Sequence, residues 1–211
     1  MKYLITFLII QLLSFSNASA DDIDTINLTP EIAFFDVNHN GNIIKIKRSP
    51  IHSENIKTKP CPPFCINPMR LAPNVETFAE LELLSFLNNE VKNESGFLVD
   101  SRMMENFEKE TIPGSINIPF ILFNGSKSNE VLTLLGVTEE NSTKDFSQAK
   151  AMCFFCDDAL CDESNRAISA LLDLGYPANK LKYYRGGIEA WKALNLTTIT
   201  PESKTTTTQA N

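Results

Sequence analysis

The stretch Cys153-Phe154-Phe155-Cys156-Asp157-Asp158-Ala159-Leu160-Cys161-Asp162-Glu163-Ser164-Asn165-Arg166-Ala167 decides how this chain reads. Ala151 to Phe155 is a short apolar run, the mark of a strand buried on both faces, and it is followed by an acidic loop. From about Glu163 the pattern changes to helical spacing, with Ala167, Ile168, Leu171 and Leu172 on one stripe and Gly175 as the stop. Strand, loop and helix in this order form the repeating unit of a parallel α/β sheet. Cys156 falls at the carboxyl end of the strand, where open α/β sheets hold their ligands. Loop amides and the following helix N-terminus are expected to surround it, a setting that favours thiolate over thiol.

Outward from this unit the same alternation continues. Thr77-Phe78-Ala79-Glu80 has the spacing of a capping box and predicts a helix with Phe78, Leu81, Leu84 and Leu87 on one face. Phe97-Leu98-Val99, Ile116-Asn117-Ile118 and Leu181 to Tyr184 read as strands, and Ile188 to Leu194 as a last helix after Gly186-Gly187. Residues 21–74 have a different texture and read as an N-terminal extension. Asn40-Gly41 within Phe34 to Lys47 predicts a β-hairpin, and Cys61-Pro62-Pro63-Phe64-Cys65 predicts a tight loop. Asp36 to Gly41 imitates the opening of a calcium loop, but Lys47 stands where a bidentate Glu is required. Residues 198–211 lack apolar period and read as a flexible tail.

The 211 residues leave room for one ordinary domain with appended segments. Acidic residues outnumber basic ones 26 to 19, which argues against a nucleic-acid partner. Met1 to Ala20 has the form of a cleavable export signal: Lys2, an apolar core from Tyr3 to Phe15, then Ala18-Ser19-Ala20. The apolar run is shorter than the roughly 20 residues that span a bilayer, so no stable membrane span is expected after cleavage. The expected location is periplasmic or secreted. All five Cys follow the signal, in a setting where disulfides persist, and an odd count leaves at least one outside intramolecular pairing.

Four segments in register make residues 75–197 resemble a rhodanese-like domain. Leu98-Val99-Asp100-Ser101-Arg102 resembles that family's strand ending in Asp-x-Arg. Ile112-Pro113-Gly114-Ser115-Ile116-Asn117 is similar to its Ile-Pro-Gly-Ala-x-Asn segment. Phe155-Cys156 through Ser164 is similar to its active loop, and Arg185-Gly186-Gly187 with Trp191 resembles its closing Gly-Gly-x-x-x-Trp. The resemblance implies an α/β fold with a five-stranded, mainly parallel sheet and helices on both faces. It also implies a cysteine, matched by Cys156, that accepts sulfane sulfur as a persulfide and passes it to a thiol or cyanide. No cofactor or metal is implied. A small sulfur donor, a thiol acceptor and a periplasmic protein thiol are the partners that follow.

The loop departs from the family pattern. Residues Asp157, Asp158, Ala159, Leu160, Cys161, Asp162, Glu163 and Ser164 form the expected substrate-binding loop, two residues longer than usual, with Ser164 at the family's loop-closing position. Its only nearby base in the sequence is Arg166, a supporting residue together with Asp100 and Arg102. A helix N-terminus favours an anion by about 0.3–1 kcal/mol. One carboxylate near 4 Å opposes it by about 1 kcal/mol even in water. A phosphatase reading meets the same repulsion and has no closing Arg.

Cys153 lies three residues from Cys156 on a strand, about 10 Å away and on the opposite face, which makes it a core residue rather than a redox partner. Cys61, Cys65, Cys156 and Cys161 are the disulfide candidates, and four cysteines allow three pairings. Zinc on these four is disfavoured by loose spacing. His39 and His52 read as surface residues. Asp100 and Arg102 pair locally more readily than they act in chemistry. The sequence therefore favours an exported sulfurtransferase using Cys156, with a non-catalytic or redox-sensing module holding a Cys156–Cys161 disulfide as the alternative.

Overall fold

The computed structural model describes residues 26–48 and 59–201. The export signal, His52 and the end of the tail lie outside the described residues. In chain order the elements are β1 (Phe34–His39), β2 (Asn42–Lys47), β3 (Glu76–Phe78), α1 (Glu80–Phe86), β4 (Gly96–Asp100) and α2 (Met104–Lys109). They continue as β5 (Ser115–Asn117), α3 (Ser128–Leu134), β6 (Thr138–Glu140), β7 (Thr143–Asp145), β8 (Ala151–Phe155), α4 (Glu163–Asp173), β9 (Leu181–Tyr184) and α5 (Gly187–Ala193).

The central sheet has five strands in the order β3-β9-β8-β4-β5, and every neighbouring pair is parallel. A parallel sheet needs cover on both faces, and the residue alternation along β8 supplies it. Met152 and Phe154 face one cluster with Ile168 and Leu171 of α4 and Val131 and Leu132 of α3. Cys153 and Phe155 face the other, with Leu83 and Phe86 of α1 and Ile188 and Trp191 of α5. Each such side chain contributes about 1.5–3 kcal/mol by leaving water. Cys153 is fully buried in the second cluster, and burial pushes its thiol pKa well up, so it is an inert packing residue.

The first helix differs from its expected start and phase. Thr77 belongs to β3, and its hydroxyl donates to the Met69 carbonyl instead of capping a helix. Ala79 is the N-cap, and its amide donates to Glu82 Oε2 at 3.1 Å. Starting there, the turn buries Leu83 and Phe86 and leaves Leu81 77% exposed. The apolar stripe continues through Leu87 and Val91, where the helix widens into a looser turn.

The β1–β2 hairpin forms in the expected register, with His39 opposite Asn42 across Asn40-Gly41. Asn40 and Gly41 take φ values of 53° and 85°, the left-handed region that this two-residue turn requires. At the other end, residues 198–200 are docked and not free. Ile199 pairs with Thr111 through two backbone hydrogen bonds, and the Thr200 hydroxyl donates to the Lys109 carbonyl at 3.0 Å. Their apolar content is too small to signal this pairing, which rests on main-chain groups.

Candidate active loop

The carboxyl ends of β4 and β8 lie side by side, with Asp100 opposite Phe155, and this register sets the site. Asp100 is fully buried. Its carboxylate is satisfied on every side: it accepts from the Arg102 amide at 3.1 Å, from Arg102 Nε at 2.9 Å and Nη2 at 2.7 Å, and from the Thr111 hydroxyl at 2.8 Å. The Arg102 Nη1 group reaches across to Asp157 Oδ1 at 3.2 Å. Burial opposes the charge on Arg102, but its bonds and proximity to Asp100 and Asp157 prevail and raise its pKa. The Asn117 side chain donates to the Asp100 and Arg102 carbonyls and fixes the turn between them. Asp100 and Arg102 thus build and hold the loop.

The floor of the loop is the N-terminus of α5. The Ile188 and Glu189 amides donate to the Cys156 and Asp157 carbonyls, each at 3.0 Å. Gly187 makes this approach possible, because a Cβ there would lie 2.5 Å from the Cys156 and Asp157 carbonyl oxygens. Ser101 accounts for the other side: its hydroxyl bonds the Phe155 carbonyl at 2.8 Å and meets the Ser164 hydroxyl at 2.9 Å. Ser164 is therefore fully buried under the loop and does not line a substrate space.

Cys156 and Cys161 lie at disulfide distance, with Cα atoms 6.2 Å apart, and each is 3% exposed. The Glu163 carboxyl faces the pair, with Oε2 3.3 Å from Cys156 Sγ and 3.7 Å from Cys161 Sγ. Burial, then the charges of Asp157, Asp162 and Asp100, raises the Glu163 pKa to about 7, with Arg102 opposing. These three side chains are close enough to share a metal, but the sulfurs are spent on each other. Cys61 and Cys65 form the second pair, with Cα atoms 4.6 Å apart, so the pairing left open by the sequence is the local one.

Arg166 is not the base that balances the loop. Its guanidinium stacks 4.3 Å from the Phe120 ring and lines a separate groove with Asn124, Asp162 and Asn165. The balancing charges are Arg102 and Lys59. Lys59 Nζ lies 3.3 Å from Asp157 Oδ2 and 3.4 Å from Asp158 Oδ2. Lys59 belongs to the extension, and no loop-local reading could find it. Asn67 was equally invisible: its side chain donates to the Cys161 carbonyl at 2.8 Å and its amide to the Ala159 carbonyl at 2.9 Å. Leu160 closes the loop tip, its amide donating to Asp158 Oδ1 at 2.8 Å.

A parallel α/β sheet with a cysteine at the end of its central strand, backed by a glycine-started helix, defines a rhodanese-type domain. The family model described as "Rhodanese-like domain" matches residues 82–194, and the chain belongs to that family. Among solved structures it is similar to a Bacillus halodurans protein at 24% identity and TM-score 0.41, covering 55% of this chain and 73% of that one. It is also similar to a thiosulfate sulfurtransferase from Pseudomonas aeruginosa at 18% identity and TM-score 0.42, covering 59% of this chain and 20% of that one. A rhodanese with anions from E. coli matches at 18% identity and TM-score 0.35, covering 50% of this chain and 99% of that one. No curated protein sequence matches the chain significantly.

Proposed function

We propose that this chain is an exported rhodanese-family redox domain whose Cys156 and Cys161 cycle between disulfide and dithiol. The observation that carries this reading is the pair itself: two cysteines of one active loop within bonding distance, each 3% exposed. A dithiol reductant supplies two electrons and two protons; its thiolate attacks one sulfur, the other leaves, and the second reductant thiol releases the mixed disulfide. In the disulfide form Cys156 has no thiolate with which to attack a sulfur donor, so the loop is closed to transfer chemistry.

A second reading, sulfur transfer, is favoured by the place of Cys156 at the carboxyl end of β8. Once reduced, its thiolate can displace sulfite from thiosulfate and become a persulfide. The outer sulfur then passes to a thiol or cyanide acceptor. The acidic residues Asp157, Asp158 and Asp162 disfavour an anionic donor, although Lys59 and Arg102 offset two of them.

Intact mass separates the two. The protein purified from an oxidising compartment without reductant is expected to carry both disulfides, to gain two hydrogens per bridge on mild reduction, and to gain no sulfur from thiosulfate. A sulfur gained at Cys156 after reduction, and lost in Cys156→Ser, would move the assignment to transferase. Free thiols at both Cys156 and Cys161 in the exported protein would defeat the redox reading.

A further inference from the structure

We infer that Glu163 is the proton donor and acceptor of the Cys156–Cys161 pair, giving its proton to the sulfur that leaves on reduction and taking it back on oxidation. This rests on the redox reading above and assigns the general acid–base group that such a cycle needs. A thiolate expelled into a site that is 3% exposed has little water to stabilise it, so a proton source inside the site lowers the barrier directly. Glu163 Oε2 stands 3.3 Å from one sulfur and 3.7 Å from the other, so whichever leaves is within its reach.

The position is built. Glu163 is the first residue of α4, and the Arg166 amide bonded to the Asp162 carbonyl at 2.9 Å fixes that turn. Asp157 and Asp162 face it from the loop and Asp100 from the end of β4. Arg102, the cation that also faces it, is committed to Asp100 and Asp157. Burial and these carboxylates raise the Glu163 pKa to about 7, so near neutrality it is present both as acid and as base.

The chemistry balances with a dithiol as reductant and a disulfide as oxidant. On reduction, the attacking thiolate forms a mixed disulfide, the leaving sulfur takes the electron pair of the broken bond, and the Glu163 carboxylic acid gives it a proton and becomes carboxylate. The second reductant thiol then attacks the reductant-side sulfur of the mixed disulfide, closing the oxidised reductant, and its proton passes to the second cysteine sulfur, which leaves with the electron pair of the broken bond. On oxidation by a disulfide, the carboxylate takes one cysteine's thiol proton as that sulfur attacks the oxidant and expels its first thiolate; the second cysteine then attacks the mixed disulfide, closing the Cys156–Cys161 bond and releasing the second thiolate.

The test is reduction of the full exported chain by dithiothreitol, followed by alkylation and mass analysis of the peptides carrying Cys156–Cys161 and, as an internal comparison, Cys61–Cys65. Rates are normalised to dithiothreitol thiolate at each pH. In the wild type the normalised rate at Cys156–Cys161 should fall as pH rises through about 7, where the acid form is lost. Glu163→Gln should flatten that profile and slow reduction about tenfold or more near pH 6, with no such change at Cys61–Cys65. A wild-type profile without a break overturns the role of Glu163 whatever the variant does, as does a Glu163→Gln profile equal to wild type. A Cys156–Cys161 bridge that the folded protein never surrenders to dithiothreitol overturns the redox reading itself, and the role with it.

Discussion

The Asp100 carboxylate is fully buried, and its charge is tolerable only because Arg102 and Thr111 occupy its oxygens. Removing the arginine leaves a buried anion without its countercharge, which costs about 3–5 kcal/mol. Arg102→Ala is therefore expected to lose that much in urea denaturation, and Arg102→Lys to recover only part, since an ammonium cannot hold Asp100 by two nitrogens and reach Asp157 as well. A loss under about 1 kcal/mol would show that Asp100 finds another partner. Glu163 carries a pH dependence of its own. Its pKa rises from 4.5 to about 7 on folding, so the folded chain holds this proton more tightly than the unfolded chain. The stability linked to it is fully present below the unfolded value and is lost as pH rises through about 7. Thermal denaturation of the disulfide form should show Glu163→Gln gaining on the wild type from acid to mildly alkaline pH. A difference that stays constant with pH would mean that folding leaves the carboxyl solvated.

At the level of elements, α5 presses its first turn against the active loop. Gly187 has a φ of +63°, and an added Cβ would sit 2.5 Å from two carbonyl oxygens belonging to Cys156 and Asp157. Gly187→Ala should cost about 2–4 kcal/mol, because strain and a backbone clash combine and neither neighbour is a side chain that can rotate away. The check is a urea midpoint measured beside that of Gly41→Ala, where the added Cβ meets open space and only the turn conformation resists. Equal losses would remove the close approach as the cause. What made some elements readable and others not follows from the same local physics. β8 and β9 are short runs buried on both faces, so hydrophobicity alone locates them to the residue. Gly175, at φ +89°, ends the α4 region as a left-handed glycine should. β3 has only three residues at a sheet edge and one of them is exposed, so its pattern is too brief to recognise and Thr77 passes for a cap. That mistake shifts the start of α1 and exchanges Leu83 and Phe86 for Leu81 and Leu84 on the buried face, while Leu87 still packs on the core. The loop cysteines and Glu163 were legible as a cluster because they are contiguous. Lys59, Asn67 and Ser101 were not, since each earns its place through tertiary contact with no local pattern to mark it.

Across the whole molecule, the extension acts as a clamp on the rhodanese-type domain. The Arg48 guanidinium gathers the carbonyls of Asn27, Lys59 and Phe64 and so ties the hairpin region to the Cys61–Cys65 loop. From that loop the chain reaches Asn67, which binds the active loop at Ala159 and Cys161, accepts from Asn165 of α4 at 2.9 Å, and takes Arg185 Nε on its carbonyl at 2.9 Å. One residue thus joins the strap, the loop, the helix behind it and the turn before α5. Lys59 adds two ion pairs, but both partners are about one-third exposed, so salt screening leaves them little energy. The clamp should therefore depend on Asn67 more than on Lys59. Asn67→Ala removes the Cys161 carbonyl's donor and Asn165's acceptor, for a stability loss of about 1–2 kcal/mol. The larger effect should appear locally: hydrogen exchange in residues 156–161 and reduction of the Cys156–Cys161 bridge should both accelerate several-fold, while the sheet strands keep their protection. Lys59→Ala should accelerate them less, and high salt should erase its effect. If Asn67→Ala changes global stability but leaves exchange in the loop unaltered relative to β8, the strap merely packs, and access to the cysteine pair is governed by the domain alone.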